Sequence, residues 1–136
     1  MTRKSKVIAT LGNSTDSILE KIVDGGADAV LIDTYYGEEE ENVLRIEKIK
    51  QLREKLNKNT AIIYDLDHIY AQSKYKLIKI EEESVDFACK HDVDFIACPF
   101  VSNIDEIRKV KDILTSRGKK DIGLIVKIDC KEAYDN

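Results

Sequence analysis

The chain alternates short apolar runs with longer amphipathic stretches, and this rhythm constrains its fold more than any other feature. The apolar runs predict strands at residues 7–11, 27–32, 61–64, 94–98 and 122–126. Strands that alternate with amphipathic stretches predict a parallel sheet with helical crossovers. Five strands do not fill an eight-stranded barrel. We therefore expect either a sheet that stays open or one whose edges are covered by another chain.

Four helices are predicted between the strands. The first is expected to be capped by residues 14–16 and ended by Gly25-Gly26, because Ser, Thr and Asp favour helix N-caps and glycine favours C-terminal ends. The others are expected over 38–57, over 82–91, and from Ile104 to a stop near Gly118. The apolar stripe of the second helix is expected at Val43, Leu44, Ile46, Ile49, Leu52 and Leu56. Residues 67–80 either add a short strand or simply cross over.

The composition favours one soluble globular domain over residues 1–136. Apolar residues make up 43% and charged residues 35%, and the chain is long enough for a sizeable core. A net charge of −4 argues against a broad nucleic-acid or anionic-membrane surface, and no apolar run approaches the length of a membrane span. The three cysteines form neither a zinc motif nor a disulfide framework, and no signal peptide is evident. We expect a cytoplasmic protein.

Three segments, in order, resemble the pyruvate kinase family. Residues 3–12, RKSKVIATLG, are similar to the first barrel strand of that family, RKTKIVATLGP. Residues 94–101, DFIACPFV, resemble its fourth strand, DFIAASFV, and residues 127–136, KIDCKEAYDN, resemble KIENQEGVDN, which carries a catalytic lysine. The resemblance covers nearly the whole chain apart from residues 67–80. It implies an α/β fold in which a parallel sheet of about five strands forms part of a (β/α)8 TIM-barrel-like arrangement.

The same resemblance implies that much of the family's chemistry has been lost. After its second strand the family reads ARLNFSHG, whose arginine contacts the phosphorylated substrate and whose Asn and Ser help to hold potassium. The aligned residues are Leu31, Asp33 and Tyr35, with Tyr36 in place of the histidine. Leu31 cannot pair with a phosphate. The two tyrosines either close the former pocket, offer a partner an aromatic surface, or simply pack.

Three motif positions keep a charged group. Lys127 matches the catalytic lysine, Asp129 stands where the family has a metal-binding glutamate, and Asp65 matches a potassium-binding aspartate. Lys127 and Asp129 are two residues apart on a predicted strand, so we expect them to face the same way near its carboxyl end. They form either a residual anion or metal site or an inherited ion pair. The family's lid domain, its second metal-binding aspartate and its C-terminal domain have no expected counterpart.

Carboxylates after the predicted strands raise the possibility of a metal site. Asp33, Asp65, Asp67 and Asp129 follow strands whose carboxyl ends share one rim. Oxygen ligands suit Mg²⁺ or Ca²⁺, but aspartate after a strand also caps the next helix. Magnesium at Asp129, Asp65 and Asp33 is the cofactor hypothesis, and the potassium site is expected to be degenerate.

Two functions are compatible with these residues. The first is a degenerate pyruvate-kinase-like protein without pyruvate kinase activity, which acts by oligomerisation or partner binding through open sheet edges at its first and fifth strands. Its partner would be a second copy or a pyruvate kinase relative. The second is a residual site for phosphoenolpyruvate, pyruvate or a divalent metal, with kinase- or lyase-type activity that rests on Lys127, Asp129 and Asp65. The first is favoured, because the lost groups contact substrate while the strand and helix pattern is intact.

Overall fold

A computed structural model describes residues 4–34, 38–66 and 82–136 of the protein. The strands are β1 (Ile8–Leu11), β2 (Ala29–Asp33), β3 (Ala61–Asp65), β4 (Phe95–Cys98) and β5 (Gly123–Val126). The α-helices are α1 (Leu19–Asp24), α2 (Glu39–Leu56), α3 (Glu82–Lys90), α4 (Ile104–Ser116) and α5 (Lys131–Asp135), and a 3-10 helix spans Asn13–Ile18. The predictions made for Tyr35, Tyr36, Asp67 and residues 67–80 lie outside the described residues.

The five strands form one parallel sheet in the order β1-β2-β3-β4-β5. Ile8 pairs with Ala29 between β1 and β2, and Phe95 pairs with Gly123 between β4 and β5. Each strand lies beside the one that precedes it in the chain. That order is typical of a (β/α)8 barrel, whereas a doubly wound sheet reverses its direction at a switch point. The expected α/β fold class and parallel sheet are confirmed.

The chain divides into two compact units, Met1–Tyr64 and Asp65–Asn136. In the first unit α1 packs against α2. Apolar side chains that are at most 2% exposed form its core: Leu11, Val23, Val30, Ile32, Ile46, Ile49, Leu52 and Ile62. Part of the apolar stripe predicted for α2 is therefore buried as expected. Leu44 was wrongly included, because its side chain is 65% exposed while the neighbouring Arg45 is buried.

The second unit packs α3 against α4. Its most deeply buried side chains are Val85, Ala88, Ile96, Ala97, Cys98 and Val110. Asn103 caps α4, because its side-chain oxygen accepts hydrogen bonds from the backbone N–H groups of Asp105 and Glu106. The helix ends shortly before Gly118, which has a left-handed φ of 70° and closes the turn as predicted.

The start of the first predicted helix needs correction. Residues 14–16 lie inside the 3-10 helix, and α1 begins only at Leu19. The Thr15 hydroxyl donates to the carbonyl of Gly12 and accepts from its N–H, at 2.7 and 3.0 Å. The Asp16 carboxylate binds Arg45 rather than a free backbone N–H of the helix. These polar side chains thus stabilise a tighter turn before the α-helix begins.

Within the described ranges, no helix combines the length and the apolar character needed to cross a membrane.

Candidate functional site

Lys127 and Asp65 form an ion pair at the carboxyl ends of the strands in the second unit. Asp65 is the last residue of β3, and Lys127 immediately follows β5. The Lys127 Nζ atom lies 2.5 Å from Oδ2 of Asp65. The Asp65 side chain is 11% exposed and the Lys127 side chain 36% exposed. An ion pair thus joins Lys127 to Asp65, with the carboxylate buried and the ammonium partly open to water.

The register of β4 and β5 explains how Lys127 reaches Asp65. The backbone N–H of Lys127 donates to the carbonyl of Cys98, which extends the ladder one residue beyond β5. Ala97 pairs with Ile125, so Ala97, Ile125 and Lys127 lie on one face of the sheet. Ala97 lies on β4, between β3 and β5 in the sheet, and its small side chain obstructs a lysine that reaches across β4 less than a larger one would.

Cys98 lies beside this pair and is fully buried. Burial, with a further contribution from the Asp65 carboxylate, raises the pKa of the Cys98 thiol to about 11. A neutral, enclosed thiol is a poor nucleophile and a poor metal ligand. Burial also raises the pKa of Cys89, and the Cys130 thiol contacts the carbonyl of Val101 at 3.7 Å. None of the three cysteines is in a disulfide.

Lys127 is paired with Asp65, whereas the Asp129 side chain binds the backbone of another loop. Its Oδ1 atom accepts a hydrogen bond of 2.8 Å from the backbone N–H of Phe100. Phe100 adopts a left-handed φ of 47°, which is unfavourable for a bulky side chain. The Asp129 carboxylate therefore helps to hold the loop between β4 and α4. A shared site for Lys127 and Asp129 stays a prediction.

Asp33 ends β2 in the first unit and lines a cavity of about 620 Å³. The remaining lining residues come from the end of β1 and the turn after it: Thr10, Leu11, Gly12, Asn13, Ser14 and Thr15. Of the described residues in this lining, Asp33 alone is charged, and it lies beside several hydroxyls and one amide. The described part of this wall offers no cation to a phosphate, in keeping with the leucine at position 31.

Arg45 organises one wall of this cavity, and sequence reasoning missed it. Its guanidinium binds both carboxylate oxygens of Asp16, at 2.7 and 2.8 Å, and the side-chain oxygens of Asn13 and Asn42, at 2.5 and 2.9 Å. The residue is only 2% exposed. Hydrogen bonding to Asp16 raises the pKa of Arg45, so the buried group stays charged. The available signal was that Asn42, Arg45 and Ile49 share the apolar face of α2.

The magnesium hypothesis gains no ligand set from the described residues. Among them, no group of three or more His, Cys, Asp or Glu side chains is arranged to hold a metal ion. Asp65 is engaged by an ammonium group and Asp129 by a backbone amide, while Asp33 belongs to the other unit. Magnesium binding through Asp129, Asp65 and Asp33 therefore stays a prediction.

Comparison with known proteins gives relatives over part of the sequence. No family model matches the chain. It is 38% identical over 86 residues to a pyruvate kinase of Thermotoga maritima, a match of 62% of this chain and 18% of that protein. A pyruvate kinase of Clostridium perfringens is 42% identical over 50 residues, or 37% of this chain and 10% of the relative. One of Buchnera aphidicola is 35% identical over 85 residues, or 61% and 17%.

These matches confirm the resemblance to pyruvate kinases that the strand motifs predicted. They are partial: the chain spans less than a fifth of the length of these relatives.

Proposed function

We propose that this chain is a degenerate pyruvate-kinase-like protein that acts by association with a partner rather than by turnover. The observation that carries the proposal is the exposure of large apolar side chains at the two outer strands of the sheet. Val7 and Ile8 at β1 are 49% and 53% exposed, and Val126 and Ile128 at β5 are 40% and 62% exposed. Both outer strands thus combine apolar side chains with an edge that another chain can pair.

The strand order leaves the outer sides of β1 and β5 as the two edges of the described sheet. Among the strands of the described residues, β1 neighbours β2 alone and β5 neighbours β4 alone. An outer strand presents backbone N–H and C=O groups that a further strand can pair, and proteins usually protect such edges with charge or proline. Here, exposed apolar side chains lie at both edges, which favours a covered interface.

The chemistry of the strand ends supports association over turnover. Phosphoryl transfer requires cations that neutralise and align the phosphate. Leu31 occupies the position of the family's substrate arginine, and the ammonium of Lys127 is held against Asp65. A phosphate would have to compete with that buried carboxylate for the lysine.

Sedimentation velocity over a range of concentrations tests the proposal on the whole chain. We expect concentration-dependent assembly that Ile128→Lys or Ile8→Lys weakens, because a charge at an apolar interface must be desolvated. Leu44→Lys is the matched control, since Leu44 is 65% exposed but lies on α2 rather than on an outer strand. A chain that stays monomeric at millimolar concentration would contradict the proposal.

A second candidate is residual ligand binding at Lys127, and its partial exposure at the end of β5 is the observation that favours it. The ligand class would be phosphoenolpyruvate, pyruvate or a related carboxylate, with or without Mg²⁺. Calorimetry with phosphoenolpyruvate, oxalate and Mg²⁺, singly and together, tests this candidate. Heat that disappears in Lys127→Met supports it, and no heat in any combination removes it.

A further inference from the structure

We propose that the cavity at the carboxyl ends of β1 and β2 binds a small hydroxylated amine, of the class of amino sugars and amino alcohols. This inference goes beyond the proposed association, because it concerns a small molecule and its residues all belong to the first unit. In parallel α/β sheets, ligands bind at the carboxyl ends of the strands. The cavity volume of about 620 Å³ falls within the roughly 300–1,000 Å³ of small-molecule sites.

The register of β1 and β2 brings polar side chains of both strands to the cavity. Thr10 pairs with Leu31 across the two strands, and Asp33 follows Leu31 by two residues. Side chains two apart on a strand share a face, so Thr10 and Asp33 lie on the same side of the sheet. The intervening Ile32 is fully buried on the opposite side. The strand ends therefore supply one hydroxyl and one carboxylate to the same wall.

The turn after β1 supplies the other polar groups, and its own contacts hold it in place. The Thr15 hydroxyl binds the backbone of Gly12 as both donor and acceptor. The side-chain oxygen of Asn13 accepts from the guanidinium of Arg45, which is buried. These contacts fix the wall before a ligand arrives, and a preorganised site loses less conformational entropy on binding.

The same contacts decide which hydrogen-bonding groups the wall can offer to a ligand. Because a guanidinium only donates, Arg45 occupies the oxygen of Asn13 and leaves its NH2 group as a donor. The hydroxyls of Thr10 and Ser14 can each donate or accept. The Asp33 carboxylate has about four acceptor positions, so it can bind a ligand alongside another hydrogen bond. Such a lining suits a molecule that carries several hydroxyl groups and one strong donor.

The charges of the described residues around the cavity favour a cationic ligand. The charge of the described lining comes from the Asp33 carboxylate. Behind the turn, the guanidinium of Arg45 is bound by Asp16 and lies 3.7 Å from the carboxylate of Glu41, so two negative charges surround one positive charge. An ammonium group is therefore attracted to this region, whereas a phosphate or a carboxylate is repelled. We assign the ammonium to Asp33 and the ligand's hydroxyl groups to the neutral side chains.

Calorimetric titration of the full chain at neutral pH tests the ligand class with four probes. Glucosamine carries hydroxyl groups and an ammonium, glucose lacks the ammonium, ethylamine lacks the hydroxyl groups, and glucose 6-phosphate carries an anion instead. We expect glucosamine to bind more tightly than glucose by a factor of about ten or more, because glucose cannot make the charge-assisted hydrogen bond to a carboxylate.

Three outcomes would overturn the proposal. The first is no heat from glucosamine at millimolar concentration, and the second is tighter binding of glucose 6-phosphate than of glucosamine. The third is displacement of glucosamine by potassium chloride but not by sodium chloride, which would assign the cavity to an inorganic cation.

Two variants test the residues assigned to the ligand. Asp33→Asn keeps the shape of the side chain and should weaken glucosamine binding by a factor of about ten or more, with little effect on glucose. Ser14→Ala should weaken both sugars by a factor of about two to ten, because it removes a neutral hydrogen bond. Asp24→Asn is the matched control, since Asp24 ends α1, its side chain is 68% exposed and it lies outside the cavity lining.

The urea midpoint of each variant shows whether the chain is folded. Ser14 is exposed, so we expect Ser14→Ala to keep the fold and to provide a test even if Asp33→Asn does not. Unchanged glucosamine affinity in a folded Asp33→Asn chain, or in Ser14→Ala, would overturn the assignment of the site. Equal losses in Asp33→Asn and Asp24→Asn would show that only the overall charge of the chain matters, which also overturns it.

Discussion

The ammonium of Lys127 lies 2.5 Å from Oδ2 of Asp65, although 62 residues separate them in the chain. The lysine stem crosses the end of β4 to reach a carboxylate that is mostly buried. This relationship gives Lys127 a structural role, and it limits what the lysine can do for an incoming anion.

Removing this ammonium should destabilise the fold. We expect Lys127→Met to lower the free energy of unfolding by about 1–3 kcal/mol, because the buried Asp65 carboxylate loses its charged partner. Urea denaturation measures the change. The control is Lys55→Met, which removes a 2.7 Å contact with Glu20 on an exposed surface. If both variants lose the same free energy of unfolding, burial of the Asp65 carboxylate adds nothing to the stability that this contact contributes.

Arg45 should contribute more to the free energy of unfolding than an exposed arginine does. Arg45→Ala removes its hydrogen bonds to Asp16, Asn13 and Asn42 together with a buried side chain, so we expect a loss of about 2–4 kcal/mol in the free energy of unfolding. Arg108→Ala is the comparison, because the Arg108 side chain is 67% exposed and pairs with the exposed Asp105 three residues away. Equal denaturation midpoints for the two variants would refute a stabilising role for the buried network.

Gly123 is constrained by the ring of Phe95. A Cβ atom at position 123 would lie within 2.5 Å of two ring carbons of Phe95. We expect Gly123→Ala to cost about 1–3 kcal/mol of stability through overpacking, and Phe95→Leu to recover part of that loss in the double variant. Gly12→Ala is the control, since its Cβ meets no atom within 4 Å. Thermal unfolding of the four variants decides the matter.

Alkaline pH should weaken the fold through Cys98. Its pKa of about 11 in the folded protein exceeds the ordinary thiol value of about 8.5, so the folded state favours the neutral thiol. The associated stability is present below the ordinary pKa and is lost as the pH rises through 11, by up to about 3 kcal/mol. Cys98→Ala should show a shallower decline in denaturant stability above pH 9. An unchanged slope would contradict this origin.

Pyruvate kinase turnover should be absent. We expect no activity above that of Lys127→Ala in a coupled assay with phosphoenolpyruvate, ADP, magnesium and potassium. Phosphoryl transfer needs several cations around the phosphate. Leu31 stands where the family has its substrate arginine, and a leucine side chain carries no charge. Turnover that clearly exceeds the variant's background would refute the proposed loss of chemistry.

The local pattern of the sequence was sufficient to predict the strands but not their side-chain partners. Apolar runs located β3 to within one residue of its observed end at Asp65. Arg45 was not singled out from the sequence, because a charged residue is normally exposed and its partners Asp16 and Asn13 lie 29 and 32 residues earlier. The short helix α5 also escaped prediction, since five residues hold too little of the helical period to be recognised.

The sequence predicted where the candidate site lies in the fold, but it did not predict which side chains meet there. Strand alternation placed Asp65 and Lys127 at the carboxyl ends of their strands, where the structure has them. It could not indicate that the two side chains meet, or that the Asp129 carboxylate holds the backbone of Phe100. Such choices depend on the length of each side chain and on the small Ala97 between the strands.

The sequential order of the strands has a consequence for how the chain folds as it is synthesised. Each strand pairs with the strand made just before it, and Met1–Tyr64 already forms a compact unit. Translation of residues 65–136 takes roughly 4–14 s at cellular speeds. Helices and loops form in microseconds, so the first unit has ample time to pack while the rest is still on the ribosome. The nascent sheet can therefore grow in one direction, because each new strand adds at the edge opposite β1.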